Sequence, residues 1–192
     1  MIPDETQALE FHQKAGSSAQ IIAHCKLVAR VALTLAREIN EKSKANTVDE
    51  EVVYAAAFLH DIGRSQTNSI MHGVEGARIA KSFGCDERVA EIIKRHVGAG
   101  ISSEEARKYG LPNDDYFPRT LEQKVVCFAD KLVSSDRIAP FEREADKFRR
   151  KGLDIERLYA LKESITSALG GEDPERLLSR SFHHENPFEQ NR

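Results

Sequence analysis

The chain has 192 residues, 40% hydrophobic and 31% charged, a balance that excludes a disordered chain and suits one helix-rich domain with a substantial core. Its formal net charge of -3 gives no electrostatic reason to expect a nucleic-acid polymer or a membrane surface as partner, so an anionic small substrate needs local positive charge. Three widely spaced cysteines (Cys25, Cys85, Cys127) without a CxxC pair read as reduced thiols of a cytoplasmic protein. The first residues lack the basic and apolar regions of a signal peptide, and no apolar run approaches the roughly 18 residues of a spanning helix.

In chain order, a short polar start gives way at Ser17 or Ser18 to a long helix. Its stripe is Ile21, Ile22, Cys25, Val28, Ala29, Ala32, Leu35, Ala36 and Ile39, with His24 on it one turn before Val28. Thr47-Val48-Asp49-Glu50 has the form of a capping box. It opens an apolar helix that runs into His60-Asp61, where Gly63 is expected to end it. After a polar turn, His72-Gly73 opens a helix closed by Gly84, and Asp86 caps the next, which carries Val89, Ala90, Ile92, Ile93 and His96. Lys94 and Arg95 read as its solvated face.

A second box, Ser102 to Glu105, starts a short helix ending near Gly110, and residues 112–119 form a proline-bounded loop. Thr120 to Gln123 is a third box, and its helix carries Asp130 among Val125, Val126, Phe128, Ala129, Leu132 and Val133. Two further helices span about 141–151 and 154–169, followed by a polar tail containing His183-His184, read as solvated. There is no convincing strand. The expectation is an all-α chain, one domain over 1–192, with a core at about 17–137 and a C-terminal helical extension at about 140–180.

Imidazoles and carboxylates on apolar helices suggest metal ligands, because an unpaired carboxylate on such a face costs several kcal/mol. His24, His60, Asp61 and Asp130 form a candidate four-ligand site, and His72 with His96 form a second, bridged to the first by Asp61. The nitrogen and oxygen mixture suits Zn, Fe, Mn, Ni or Co better than Ca. A blander reading has His72 capping its helix and His96 satisfied at a helix C-terminus. Arg64, three residues past Asp61, is either a phosphate clamp or a surface ion pair. Lys131 and Arg137 are further candidates for anion binding, though solvated faces account for them too. His12 has no partner in this pattern, and Cys127 reads as core.

The order His24, His60-Asp61, His72, His96, Asp130 resembles that of the HD-domain metal-dependent phosphohydrolases over residues 20–137. The segments His72-Gly73-Val74-Glu75-Gly76-Ala77, Ile93-Lys94-Arg95-His96 and Ala129-Asp130-Lys131 are similar to the six-ligand, two-iron branch that splits diadenosine tetraphosphate symmetrically. The resemblance implies an HD helical bundle, divalent metal at all six ligands (iron first for a pair) and a metal-bridging hydroxide as nucleophile, with Asp61 and Arg64 in the catalytic set. It further implies a small phosphorylated substrate, a nucleotide such as a dinucleoside polyphosphate first. A nucleoside monophosphate phosphatase, a cyclic-nucleotide phosphodiesterase, a non-catalytic metal- or nucleotide-sensing HD protein and a two-iron oxygenase are the alternatives. A homodimer stays open. This chain departs from those relatives in having Arg64 where they carry lysine, a longer 130–137 segment and a larger insert at 101–120, all of which bear on substrate choice.

Overall fold

The structure is a computed structural model and describes residues 1–45 and 47–182. Its order is α1 (Glu5–Ala15), α2 (Ala19–Ser43), α3 (Glu50–Leu59), a 3-10 turn (Ile62–Ser65), α4 (His72–Ser82), α5 (Glu87–Arg95), α6 (Ser103–Lys108) and α7 (Leu121–Lys131). A hairpin of β1 (Val133–Ser134) and β2 (Arg137–Ile138) follows, then α8 (Phe141–Lys151), α9 (Ile155–Ala168) and α10 (Pro174–Ser181). The protein is all-α apart from that hairpin, in which Val133 pairs with Ile138 and Ser134 with Arg137. Two residues per strand are too few for an alternating pattern to register in the sequence.

The polar start and the tail each hold a helix that the sequence reading passes over. Helix α1 is capped by an Asp4–Gln7 box and buries only Ala8, Phe11 and His12, a stripe too thin to read as amphipathic. Helix α10 begins at Pro174 behind the cap Asp173 and buries Leu177 and Leu178. The cap of α3 is Asp49, which accepts from the Val52 amide, so the Thr47 box does not form; the Thr47 hydroxyl turns back to Ser43. The boxes at Ser102 and Thr120 form as expected.

Helix α3 is apolar almost all round because helices surround it: it packs on α2, α5, α7 and α1. Val52, Val53 and Ala55 through Leu59 are buried, so the helix delivers its C-terminal His60 to the centre of the fold. Helix α2 contains a window of mean hydropathy 1.4 and is, by length and composition, long enough to cross a membrane, contrary to the sequence reading. In the fold its stripe from Cys25 to Ile39 is buried against α3 and α7.

Gly63 does not end α3. That helix stops at Leu59, with His60 still in the right-handed helical region. Gly63 instead lies against the first turn of α4, where a Cβ would fall 2.0 Å from the His72 carbonyl oxygen and 2.5 Å from the Gly76 nitrogen. The glycine is needed for close approach, and that approach sets His72 beside Asp61.

Lys94 and Arg95 are also reassigned, from a solvated face to the anchors of the 112–119 loop. Lys94 is ion-paired with Asp114, and Arg95 donates to the carbonyls of Asp115 (2.6 Å) and Phe117 (3.4 Å). Beneath the insert, Ile101, Ala106, Leu111 and Tyr116 form a small second core. Beyond the hairpin, α9 packs on α7 and α2, α8 on α9, and α10 on α2.

Candidate metal centre

Five elements bring six side chains to one point: α2 supplies His24, the end of α3 His60 and Asp61, the start of α4 His72, the end of α5 His96, and α7 Asp130. Each imidazole is fixed by a carbonyl oxygen against its Nδ1. His60 meets Ala57 O at 2.7 Å, His72 meets Ser69 O at 2.7 Å and His96 meets Ile93 O at 2.7 Å. His24 meets Ser135 O at 3.0 Å. A carbonyl only accepts, so in all four rings Nδ1 carries a proton, and each ring when neutral offers its Nε2 lone pair inward. His60 and His96 sit at the C-caps of their helices, where carbonyls are left over by the ending helix and are free to do this.

The four Nε2 atoms converge on two carboxylates. His24 and His60 lie 3.1 and 3.4 Å from Asp130 Oδ1, and His60 is 3.8 Å from Asp61 Oδ2. On the other side, His72 and His96 lie 3.3 and 3.4 Å from Asp61 Oδ1 and 3.1 Å from each other. Two overlapping donor groups result, His24–His60–Asp61 and Asp61–His72–His96, and Asp61 belongs to both.

With their Nδ1 protons engaged, neutral His72 and His96 have no proton to place between their Nε2 atoms; the two lone pairs face each other. His60 Nε2 and Asp61 Oδ1 are buried and have no hydrogen-bond partner. Unsatisfied buried acceptors are costly, and a cation between them removes the cost. The residues therefore fit a divalent metal, and the imidazole and carboxylate donors suit a transition metal. His72 does not cap its helix, and His96, which does stand at a helix C-terminus, is satisfied by its own helix only at Nδ1.

The electrostatics of the metal-free site divide the rings: His60, though burial opposes it, is raised well above the usual imidazole range by Cys25, Asp61 and Asp130, whereas burial lowers His72 and His96. Burial pushes the Asp61 carboxyl up, but His60 and His96 outweigh it and hold it far below the usual carboxylate range. Asp130 behaves likewise, with burial opposed by Lys131, His24 and His60. Burial, reinforced by the neighbouring His96, lowers His72 to about 3, which keeps it a neutral donor. For His24, burial opposes protonation but the Asp130 carboxylate outweighs it, raising its basicity.

The three predicted cations have different settings. Arg64 donates from Nε to Asp61 Oδ2 at 2.5 Å and places Nη2 3.3 Å from His72 Nε2, with a third of its side chain open to the cavity. Lys131 is buried, its ammonium 2.6 Å from Asp130 Oδ2 and 3.4 Å from His96 O, so it compensates Asp130. Arg137 is exposed on β2 and is not among the cavity's lining residues.

His12 is the residue whose part the sequence reading misses. It is buried, with Nδ1 2.8 Å from Ser17 Oγ and Nε2 2.7 Å from Phe58 O, and so fastens α1 to the end of α3 just before His60. Its partners are 5 and 46 residues away, and no local spacing reveals the second. Cys127 is core, as expected. His183-His184 lie outside the described residues. Five of the six candidate donors, all but His60, line a cavity of about 780 Å³ whose lining also includes residues of the insert and of α8 and α9.

The HD domain family model matches residues 21–134. The chain is 40% identical over 172 residues to the tRNA (cytidine(56)-2'-O)-methyltransferase of Thermoplasma volcanium, covering 88% of this chain and 49% of that protein. It is 43% identical over 171 residues to the protein of the same name from Picrophilus torridus, covering 88% and 48%. It thus spans about half the length of these curated relatives. An uncharacterized protein of Methanocaldococcus jannaschii is 42% identical over 156 residues, 79% of this chain and 91% of that one.

Proposed function

The chain belongs to the HD domain family, and from that premise we propose that it is a metal-dependent phosphohydrolase acting on a phosphate ester or anhydride of a nucleotide. One observation carries the reading: a single carboxylate, Asp61, is shared by two donor groups of inward-facing imidazoles at the floor of a cavity large enough for a nucleotide. When bound, divalent metal supplies Lewis acidity toward phosphoryl oxygens and makes water a nucleophile at neutral pH. The holders are His24, His60, Asp61 and Asp130 on one side and Asp61, His72 and His96 on the other.

The chain's own residues contribute charge and position. Arg64 fixes Asp61 Oδ2, and its guanidinium borders the cavity beside the ligands, where it can hold a phosphoryl oxygen and offset charge that grows there in the reaction. Lys131 keeps Asp130 ionised and aimed at His24 and His60. The carbonyls behind the four imidazoles hold ring orientation and tautomer fixed, so the donors are set before substrate arrives.

A dinucleoside polyphosphate is the first substrate on the resemblance of the ligand segments to the two-iron branch; a nucleoside monophosphate or a cyclic nucleotide comes next. A second reading has its own support. The chain matches half of two proteins named as tRNA methyltransferases, which favours an RNA phosphoester as substrate. The test is purified protein loaded with iron or manganese, assayed for phosphate release and cleavage over diadenosine tetraphosphate, AMP, cyclic AMP and oligoribonucleotides with terminal 2',3'-cyclic or 3'-phosphates. Turnover that disappears in Asp61→Ala is expected. A fully metallated protein that cleaves none of them sinks the hydrolase reading in favour of a sensing protein, and cleavage of the oligonucleotides alone selects the second reading.

A further inference from the structure

The family match ends at residue 134, yet the cavity above the ligands is walled in part by residues beyond it. Phe148 and Lys151 come from α8, Leu153 from the turn after it and Arg157 from α9, while Tyr109 faces the same cavity from the end of α6. Five large hydrophobic side chains are exposed among the described residues, and two of them, Tyr109 (45%) and Leu153 (40%), line this one cavity. Exposed apolar side chains gathered at a cavity that also holds buried charge mark a place for a ligand that is apolar at one end and ionic at the other.

The charge on this wall is divided unevenly. Lys147 is paired with Glu144 at 2.7 Å, and Arg157 with Glu105 at 2.6 Å and Asp154 at 2.7 Å. Among the described residues, neither the Lys151 ammonium nor the Tyr109 hydroxyl has a protein partner. The wall therefore presents a flat phenol ring, a branched aliphatic and one uncompensated cation. A cavity of about 780 Å³ exceeds what one phosphate needs and lies in the range that encloses a nucleotide-sized molecule.

We propose that Tyr109, Leu153 and Lys151 form a nucleoside subsite, with the base on Tyr109 and Leu153 and a further phosphate, beyond the one at the ligands, on Lys151. The C-terminal extension is then the substrate-selecting wall of the site, and it selects nucleotides carrying more than one phosphate. This rests on the phosphohydrolase reading for the phosphate at the ligands, but its own test is one of binding.

The experiment uses the full chain loaded with manganese. Calorimetry compares adenosine 5'-(β,γ-imido)triphosphate with inorganic phosphate, and the readout is the ratio of the two Kd values. Stacking on an aromatic ring is worth enough that Tyr109→Ala should raise that ratio at least about five-fold. Lys151→Ala should raise it comparably, and Tyr109→Phe should restore it. Metal content and thermal unfolding establish that each variant is folded. An unchanged ratio in both alanine variants, or no nucleotide binding by the wild type at millimolar concentration, overturns the subsite. A protein that binds through Tyr109 and Lys151 but hydrolyses nothing retains the subsite and loses the hydrolase reading; turnover with an unchanged ratio does the reverse.

Discussion

Gly63→Ala is the sharpest test of how the fold builds the metal centre, because it adds one methyl at a place whose three nearest atoms are all backbone. The new Cβ would lie 2.0 Å from the His72 carbonyl oxygen and 2.5 Å from the Gly76 nitrogen, whereas real Cβ contacts are essentially never under 3.0 Å and are ordinary from 3.4 Å. The 3-10 turn and α4 must therefore separate by 1.0 to 1.4 Å, the differences between 2.0 Å and those two limits. Both obstacles are backbone, and Gly76 is itself held 2.9 Å from Ile93, counted to its own notional Cβ, so α4 has little room to yield. Overpacking of this kind costs about 1–3 kcal/mol. For a chain of this size that is a fall of roughly 2–12 °C in Tm.

The functional consequence is larger than the loss of stability. Asp61 is anchored on one side of the contact and His72 on the other, with Nε2 3.3 Å from Oδ1. A shift of an ångström that carries His72 away from Asp61 opens the Asp61–His72–His96 group and spares His24–His60–Asp61. Metal analysis of Gly63→Ala should show loss of the ion held by His72 and His96 with the other retained, alongside the fall in Tm from thermal unfolding. Wild-type Tm together with wild-type metal content would refute the close-approach argument.

Three further outcomes follow from the same geometry. His96→Ala should remove the ion of its own group and leave that of His24 and His60, and an unchanged metal stoichiometry would show that His96 is structural. Lys131→Met leaves the buried Asp130 carboxylate without its ammonium partner and should cost about 3–5 kcal/mol in metal-free protein, but less when metal is bound, since the ion then compensates the same carboxylate; equal losses by thermal unfolding in both states would refute this. His12→Leu strands the Phe58 carbonyl and the Ser17 hydroxyl and should cost about 1–3 kcal/mol, while metal content stays at the wild-type value; a loss of metal would place His12 in the site rather than behind it.

Three of the six candidate donors are legible in the sequence because each lies on an element whose apolar pattern makes a polar side chain conspicuous. His24 interrupts the stripe of α2, Asp130 that of α7, and His60 closes an almost wholly apolar helix. What sequence spacing does not carry is contact between segments. The role of Gly63 depends on how closely α4 approaches, and the adjacent helix end offered a simpler explanation for a glycine. Arg95 looks solvated on its own helix until the 112–119 loop, twenty residues on, folds over it. The part of α8 and α9 in the cavity is equally invisible, since Lys151 at a helix C-terminus is already explained by the dipole. Thr47 competed with Asp49 for the same cap and lost because only the aspartate reaches the Val52 amide.

The backbone carbonyls behind the imidazoles explain why the fold holds such a site before any metal arrives, and what removal of metal should do. Four carbonyls fix four protons on Nδ1, so the lone pairs of His72 and His96 are held 3.1 Å apart, while the Nε2 atoms of His24 and His60 face Asp130, which raises the basicity of both. None of these groups can relax by turning, because each ring would give up its carbonyl. Metal-free protein thus carries unfavourable contacts that bound metal reverses, and metal stabilises the folded chain by mass action. An ion at about 100 times its Kd adds roughly 2.7 kcal/mol, or about 5–11 °C in Tm for a chain of this length. Chelation followed by titration with manganese should raise Tm with metal concentration over that range, and the rise should be smaller in Asp61→Ala, which lacks the shared ligand. A Tm indifferent to manganese at measured full occupancy would mean that the inward lone pairs are not under the strain their geometry implies.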